Sequence, residues 1–273
     1  FNKSHAAGYA VIAYRTAYLK LHHPEAFMAS LMNSFLYSID KVAEYVRSSK
    51  DHGITTLPPD INASRTRFSV ESAKGGKRAI RFGLGAIRNA GVNACEAIIA
   101  EREQNGPYRD FFDFLKRAGE FVNRRMVEGM IKAGAFDCFG YRRSQLIEGC
   151  GRAMDAMAEE RKREISGQVN LFDMFADEPD MAMKIELPDI NEYSPQVRYA
   201  FEKEATGMYI SGHPLGDYEK ELSGLKLTIS KVLEADELEG EVKEGERVKI
   251  GGIITAVRRK TTRAQSVMAY ATI

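Results

Sequence analysis

Residues 80–139, IRFGLGAIRNAGVNACEAIIAEREQNGPYRDFFDFLKRAGEFVNRRMVEGMIKAGAFDCF, decide the fold of this chain. They contain two short glycine-bearing turns, each between helix-like segments. The first turn, residues 87–92 (IRNAGV), precedes a helical run over 93–103. The second turn, residues 131–135 (IKAGA), follows a helical run over 123–130. Apolar residues recur at helical spacing around both turns, which predicts two helix–turn–helix units in tandem.

The chemistry of such turns suits a phosphate backbone. A glycine permits a left-handed residue or a close backbone approach between two helices. Amides exposed at a helix N-terminus can hold a phosphate without reading a base. The pattern therefore predicts a tandem helix-hairpin-helix module that grips duplex DNA, although a simple helix C-cap at each glycine is the structural alternative. Asn89 replaces the usual first glycine, and asparagine tolerates left-handed backbone. The candidate DNA-binding residues here are Arg88, Asn89, Gly91, Val92, Arg124, Arg125, Lys132 and Gly134.

Composition excludes several classes of protein. The 273 residues are enough for two or more domains, and 44% hydrophobic with 28% charged residues is typical of globular proteins. No apolar run approaches the ~20 residues of a membrane helix, and no signal peptide opens the chain. Because the chain begins with Phe1, we interpret it as a fragment. The three cysteines predict reduced thiols, buried or half-buried, and no disulfide framework. The five histidines lack metal-ligand spacing, which disfavours nuclease or deaminase chemistry. They are His5, His22, His23, His52 and His213.

Charge is distributed unevenly along the chain. Residues 78–143 carry 12 Lys and Arg against 8 Asp and Glu, whereas residues 159–246 carry 10 against 22. Residues 247–273 carry 6 basic side chains and no acidic ones. A charge run is often only a solvated face, but this asymmetry also fits basic segments that contact nucleic acid around an acidic one.

Outside residues 80–139, the sequence predicts mostly helices, with a small hairpin, before the stretch and both helices and strands after it. Residues 57–62 (LPPDIN) contain two prolines and are interpreted as an extended connector. Residues 67–71 and 78–82 alternate around a Lys-Gly-Gly turn and predict a small β-hairpin. Further helices are predicted over 6–21, 25–33, 40–51, 142–162 and 196–209, with strands from 248 and over 266–273.

A short apolar motif lies in the acidic, proline-bearing segment after the long helix. Residues 167–175 read GQVNLFDMF. Exposed Leu and Phe side chains are unfavourable in such a segment unless they dock against a surface. A glutamine amide followed by Leu-Phe suits an extended peptide that inserts into an apolar pocket. A loop folded onto its own domain is the alternative. The candidate anchors are Gln168, Leu171 and Phe172.

Together these motifs closely resemble the family of alpha subunits of bacterial replicative DNA polymerase III, the C-family polymerases. Their order and spacing cover nearly the whole chain. The motifs are FNKSHA at 1–6, YLK at 18–20, HP at 23–24, PPDIN at 58–62, FGLGAI at 82–87, NRR at 123–125, KAGAFD at 132–137 and SGHPL at 211–215.

The resemblance implies a mainly α, multidomain fold. Residues 1–56 would form the C-terminal, helical part of the fingers domain. Residues 57–215 would form the clamp-binding domain, with the tandem helix-hairpin-helix and the small β-hairpin. Residues 216–246 would be an acidic linker, and residues 247–273 the first strands of a truncated OB-fold.

The resemblance also implies an activity, partners and site residues. The full-length protein would be a cytoplasmic DNA-directed DNA polymerase that binds double-stranded and single-stranded DNA, the sliding clamp and other replisome subunits. Its palm aspartates and Mg²⁺ would lie upstream, so we expect no catalytic residue, metal or cofactor here and no DNA copying by this chain. The alternative is a stand-alone helix-hairpin-helix DNA-binding or repair scaffold. Gln168, Leu171 and Phe172 match the internal clamp motif, Arg258, Arg259 and Lys260 would touch single-stranded template, and Lys3 and His5 would face the incoming nucleotide.

Overall fold

The computed structural model describes residues 3–166, 186–225, 227–229, 231, 247–261 and 267–273. It separates the chain into two compact units, Phe1–Ser211 and Gly212–Ile273. Helices predominate among the described residues, which confirms the predicted mainly α, multidomain class. The finer domain boundaries proposed from the sequence remain predictions.

The first unit begins with three helices, α1 (Lys3–His22), α2 (Pro24–Ser34) and α3 (Ile39–Asp51). Each agrees with a predicted helix within a few residues. Every residue of α1 is exposed. Asn33 near the end of α2 ties this helix to the backbone at Phe68, because its side chain donates to the Phe68 carbonyl and accepts from the Phe68 amide, at 2.9 and 2.8 Å.

A three-stranded sheet comes next in the chain, formed by β1 (Thr55–Leu57), β2 (Ser69–Ser72) and β3 (Arg78–Arg81). The antiparallel pair β2–β3 confirms the predicted hairpin, with a positive-φ Gly75 in its turn. Strand β1 was not predicted. It pairs in parallel with β3, giving the order β1-β3-β2. Only three residues long and followed directly by two prolines, it has too little alternation to be recognised as a strand.

Residues 57–62, interpreted from the sequence as an extended connector, are anchored in the core of the first unit. Ile61 is fully buried, and its amide donates to the carbonyl of Ala135 at 2.8 Å. The buried guanidinium of Arg102 donates to the carbonyls of Ile61 and Ser64. These contacts satisfy backbone groups that a buried loop would otherwise leave without partners.

The centre of the first unit consists of α4 (Val92–Asn105), α5 (Phe111–Ala118), α6 (Arg124–Ala133), α7 (Arg143–Ser166) and α8 (Pro195–Thr206). Asn123 caps α6 as predicted, since its side chain accepts from the amide of Met126 at 3.0 Å. Phe111, Phe114 and Phe136 form an edge-to-face aromatic cluster in the core. The helix-like segment expected before residue 87 is instead β3 followed by a short 3-10 turn, Leu84–Ala86.

The second unit contains α9 (Glu219–Ser223) and a two-stranded sheet of β4 (Ala256–Thr261) and β5 (Val267–Thr272). The prediction that a strand begins at residue 248 was wrong, because residues 247–255 form no strand and β4 begins at Ala256. Strand β5 agrees with the predicted 266–273. Of the predicted buried or half-buried thiols, Cys95 and Cys150 are buried, whereas Cys138 is exposed.

Candidate nucleic-acid interface

The first hairpin turn leads directly into the N-terminus of α4. Asn89 is in the left-handed region with φ +66°, which makes it the one non-glycine residue with positive φ in the described chain. Gly91 is the extended N-cap residue, exposed and open to solvent. No side chain caps α4, and its first turn contains no acidic residue. The first amides of the helix therefore retain the partial positive charge that favours an anion.

The second hairpin turn is closed by its own backbone. Gly134 ends α6 in a left-handed conformation with φ +84°, and its amide donates to the carbonyl of Ile131 at 3.0 Å. The next amide, of Ala135, donates to Met130 at 2.9 Å. Gly134 is also buried, with the guanidinium of Arg143 beside it. The geometry therefore does not support phosphate binding by the Gly134 amide, and the second hairpin offers the side chains of α6 instead.

A small surface cleft brings the two hairpins together. It is lined by Arg88, Asn89, Arg125, Glu128, Gly129, Lys132, Glu204 and Ala205. The turn is held against α8, because the amide of Arg88 donates to the carbonyl of Ala205 at 2.8 Å. It also approaches α6 closely at Gly129, where a Cβ atom would lie 2.8 Å from the Arg88 carbonyl oxygen.

The cations around this cleft differ in whether they form ion pairs with neighbouring carboxylates. Arg88 and Arg125 are exposed, and the structure shows no ion pair for either of them among the described residues. Lys132 pairs with Glu204 of α8 at 2.7 Å and lies over the ring of Phe201, 5.2 Å from its centroid. Arg124, outside the cleft, pairs with Glu128 at 2.8 Å. Arg88 and Arg125 are thus the cations best placed to meet a phosphate.

A charge network centred on the buried side chain of Arg143 joins α7 to α8 and to Asp137, which follows α6. The Arg143 guanidinium donates to Asp137 at 2.6 and 2.9 Å and to Glu202 at 3.0 Å. Burial lowers the pKa of Arg143, but the hydrogen bonds and charges of Asp137 and Glu202 more than reverse this, so the pKa is raised. Glu202 is fully buried, and its other carboxylate oxygen accepts from the amides of Ile210 and Ser211.

Glu192 caps the start of α7 from a distant part of the sequence. Its carboxylate accepts from the amides of Arg143 and Ser144 at 2.8 and 3.1 Å. Burial raises the pKa of Glu192, whereas hydrogen bonds from the amides of Tyr193, Arg143 and Ser144 outweigh it and lower that pKa. The negative charge at this helix N-terminus complements the helix dipole.

Comparisons with known proteins show what the sequence of this chain is similar to. A family model described as a helix-hairpin-helix motif matches residues 53–146. The chain is 41% identical to DNA polymerase III subunit alpha of Thermus aquaticus over 280 residues, which is 100% of this chain and 21% of that protein. The chain is homologous to a segment of DNA polymerase III subunit alpha. The alpha subunits of Deinococcus radiodurans and of Mycobacterium tuberculosis strain H37Rv are 40% and 36% identical over 98% and 96% of this chain.

The homology confirms the resemblance seen in the sequence, and the family model confirms the helix-hairpin-helix motif. The chain spans about a fifth of the length of these alpha subunits. No helix in the described ranges is long and apolar enough to cross a membrane. Nor does that part of the chain contain a group of three His, Cys, Asp or Glu able to hold a metal ion.

The remaining residues predicted from the alpha-subunit resemblance belong to other parts of the chain. Lys3 and His5 are exposed in the first turn of α1. Gln168, Leu171 and Phe172 lie outside the described residues. Arg258, Arg259 and Lys260 are exposed on β4 in the second unit.

The register of the β4–β5 hairpin divides these three cations between its two faces. Arg258 is opposite Tyr270 and Lys260 is opposite Met268, so these four residues share one face. Arg259 is opposite Ala269 on the other face, next to Val257 and Ala271. The face with Arg258 and Lys260 is therefore the basic and aromatic one, a combination that suits single-stranded nucleic acid.

Sequence reasoning missed the contribution of α8 to the site. Glu204 and Ala205 line the cleft, and Phe201 lies beneath Lys132. Helix α8 was predicted as a helix without a role in DNA binding. Glu204 is 72 residues from Lys132 in sequence, and no local pattern indicates that pairing.

Proposed function

We propose that this chain binds the sugar-phosphate backbone of duplex DNA as part of a DNA polymerase III alpha subunit. The observation that supports this most is the cleft where Arg88 and Asn89 of the first hairpin meet Arg125 of the second. The uncapped N-terminus of α4 follows directly from the same turn. Side-chain cations and helix-terminal amides contact phosphates and carry no base information, so binding is independent of sequence.

In this proposal, the longer protein is a replicative polymerase that extends a primer by template-directed nucleotidyl transfer. The chain would hold duplex DNA, while palm aspartates with Mg²⁺ perform the chemistry; we assign no residue of this chain to that step. Other replisome subunits would be further partners. A stand-alone repair scaffold is less well supported, because the homology to alpha subunits covers 94–100% of the chain and is not confined to the helix-hairpin-helix residues.

Replacing Arg88 and Arg125 together by glutamine should weaken duplex binding and flatten its salt dependence. Removing one phosphate-binding cation reduces the slope of log K against log salt concentration by about 0.9, so the double variant should show a reduction of about 1.8. Titrations of a labelled duplex over a range of salt concentrations measure both effects. Two duplexes of unrelated sequence should give the same isotherm.

The matched control replaces Arg15 and Arg47 by glutamine, which removes the same charge from exposed arginines of α1 and α3 outside the cleft. This control should bind with nearly the wild-type salt slope. Wild-type binding that ignores salt, or that selects one duplex sequence, would contradict the proposal. Equally weakened binding in the two double variants would show that only total charge matters.

The β4–β5 hairpin offers a second nucleic-acid contact in this proposal. Arg258 and Lys260 would meet phosphates of single-stranded template, and Tyr270, opposite Arg258 on the same face, would stack on a base. Tyr270 is 54% exposed, so its ring is accessible. Arg259 is on the opposite, apolar face, so it would contribute less to this binding than Arg258 and Lys260, although the sequence predicted all three as contacts.

Clamp binding is proposed from the sequence GQVNLFDMF and its resemblance to the internal clamp motif of the family. Replacing Leu171 and Phe172 by alanine should abolish binding of the sliding clamp while duplex binding is kept, because the two side chains would fill one apolar pocket. A tether of this kind raises the local concentration of the polymerase at the primer end. Titration of purified clamp with labelled chain measures the effect.

Phe175→Ala is the control for this experiment, because it removes a phenylalanine from the same segment outside the three anchors. Clamp affinity should be retained in this variant. Clamp affinity that is unchanged by the double Leu171 and Phe172 replacement would refute the assignment of the motif.

A further inference from the structure

The ion pair between Lys132 and Glu204 lies inside the proposed phosphate-binding cleft. The two charged atoms are 2.7 Å apart, and both residues line the cleft with Arg88 and Arg125. The Lys132 side chain is 24% exposed, whereas that of Glu204 is 52% exposed. The Lys132 ammonium also lies over the Phe201 ring, which belongs to the same helix as Glu204. Helix α8 therefore engages this lysine from two sides.

The charges around the cleft nearly cancel in this arrangement. Three cations, Arg88, Arg125 and Lys132, line it together with two carboxylates, Glu128 and Glu204. Glu128 is drawn toward Arg124 at 2.8 Å. Glu204 leaves its negative charge where a phosphate bound by Arg88 and Arg125 would approach. Two negative charges in one small cleft repel each other, so Glu204 opposes phosphate binding. An exposed ion pair is nevertheless weak enough for a phosphate to displace its carboxylate.

We propose that Glu204 is an intramolecular competitor for DNA phosphate at Lys132. In the protein without DNA, Lys132 is held by Glu204 and by Phe201. A phosphate must displace the carboxylate before this lysine can contribute to binding. Glu204 thereby limits the affinity for duplex DNA without blocking the cleft, and it makes that affinity depend on the position of α8. The inference rests on the proposed duplex binding and extends it to a residue of α8.

A double-mutant cycle on the 273-residue chain tests this role. The four proteins are wild type, Glu204→Gln, Lys132→Gln and the double variant, each titrated with the same labelled duplex across several salt concentrations. Glu204→Gln should tighten binding about two- to fivefold at low salt, the range that an exposed ion pair supports. Its salt slope should steepen by about 0.9, because one more phosphate contact forms.

The cycle also separates competition from a simple change of net charge. Lys132→Gln should weaken binding in the wild-type background, because it leaves the Glu204 carboxylate unpaired in the cleft, but it should leave the salt slope nearly unchanged, since the lysine there binds Glu204 and no phosphate. In the Glu204→Gln background, the same replacement should remove the added phosphate contact and lower the salt slope by about 0.9. The effects of the two mutations on the salt slope are thus expected to be strongly non-additive.

Glu160→Gln is the matched control. Glu160 pairs with Lys116 at 3.0 Å between α5 and α7, so the variant has the same charge change in another exposed lysine–glutamate pair, and neither residue lines the cleft. This control should leave affinity within about twofold of wild type, as expected for an exposed pair of little energetic weight.

Two kinds of failure are distinguishable. If the wild type binds duplex DNA and Glu204→Gln binds with unchanged or lower affinity, the competitor role is overturned. Lower affinity would make Glu204 a residue that positions Lys132. An equal decrease in the salt slope from Lys132→Gln in both backgrounds would overturn it as well. Absence of duplex binding by all variants would overturn the proposed function and this inference with it.

Discussion

Replacing Glu202 by glutamine should destabilise the first unit by about 3–5 kcal/mol, the cost of removing one partner from a buried ion pair. Glu202 is fully buried, and the Arg143 side chain is 4% exposed. The variant leaves Arg143 paired with the carboxylate of Asp137, and it removes the negative charge from the side chain that accepts from the amides of Ile210 and Ser211. Urea unfolding followed by far-ultraviolet circular dichroism measures the decrease in stability.

The control for this prediction is Glu204→Gln in the same helix. It makes the same chemical change two residues away, but its pair with Lys132 is exposed, so the free energy of unfolding should change by less than about 1 kcal/mol. A similar small decrease in both variants would contradict the view that the Arg143–Glu202 pair holds α7 and α8 together. The denaturant slope should stay constant, so that midpoints can be compared directly.

Gly129→Ala should lower the stability of the first unit by about 1–3 kcal/mol, the typical cost of overpacking a close contact. Helix propensity alone predicts the opposite sign, because alanine in a helix is favoured over glycine by about 0.5–1 kcal/mol. The new methyl would lie 2.8 Å from the backbone oxygen of Arg88, which cannot move without shifting the turn. Urea unfolding measures the stability.

Duplex binding should also decrease in Gly129→Ala, because the shift moves Arg88 and Asn89 away from α6. Gly8→Ala is the control, since its methyl would meet no atom within 4 Å and the helix should become more stable or stay unchanged. If Gly129→Ala were as stable as Gly8→Ala and bound DNA as wild type, the close approach of the two hairpins would be wrong.

Both predictions concern contacts that join distant parts of the chain. Helix α8 follows residues 167–175 in sequence, yet Glu202 pairs with Arg143 of α7 and the Ala205 carbonyl accepts from the amide of Arg88. Changes in the packing of α8 would therefore alter the DNA cleft directly. This arrangement gives the competitor role of Glu204 a structural basis.

The sequence by itself determined the elements whose causes are local. Helical spacing of apolar residues predicted the main helices, Asn123 predicted the start of α6, and alternation around a glycine turn predicted the β2–β3 hairpin. The same local motifs, read in order, were sufficient to indicate the resemblance to alpha subunits, which the homology confirmed. They also located Arg88, Arg125 and Lys132 near the two turns.

Only the tertiary structure decided which groups around those turns can meet a ligand. It placed β1 beside β3, closed the Gly134 turn with internal hydrogen bonds and brought Glu204 onto Lys132. The physical reason is that hydrogen bonds and ion pairs require atoms within a few ångströms, whereas β1 and β3, and likewise Lys132 and Glu204, are separated by many residues of sequence. Local periodicity specifies an element and its apolar face, but the long-range packing of that face decides which charges and amides remain for DNA.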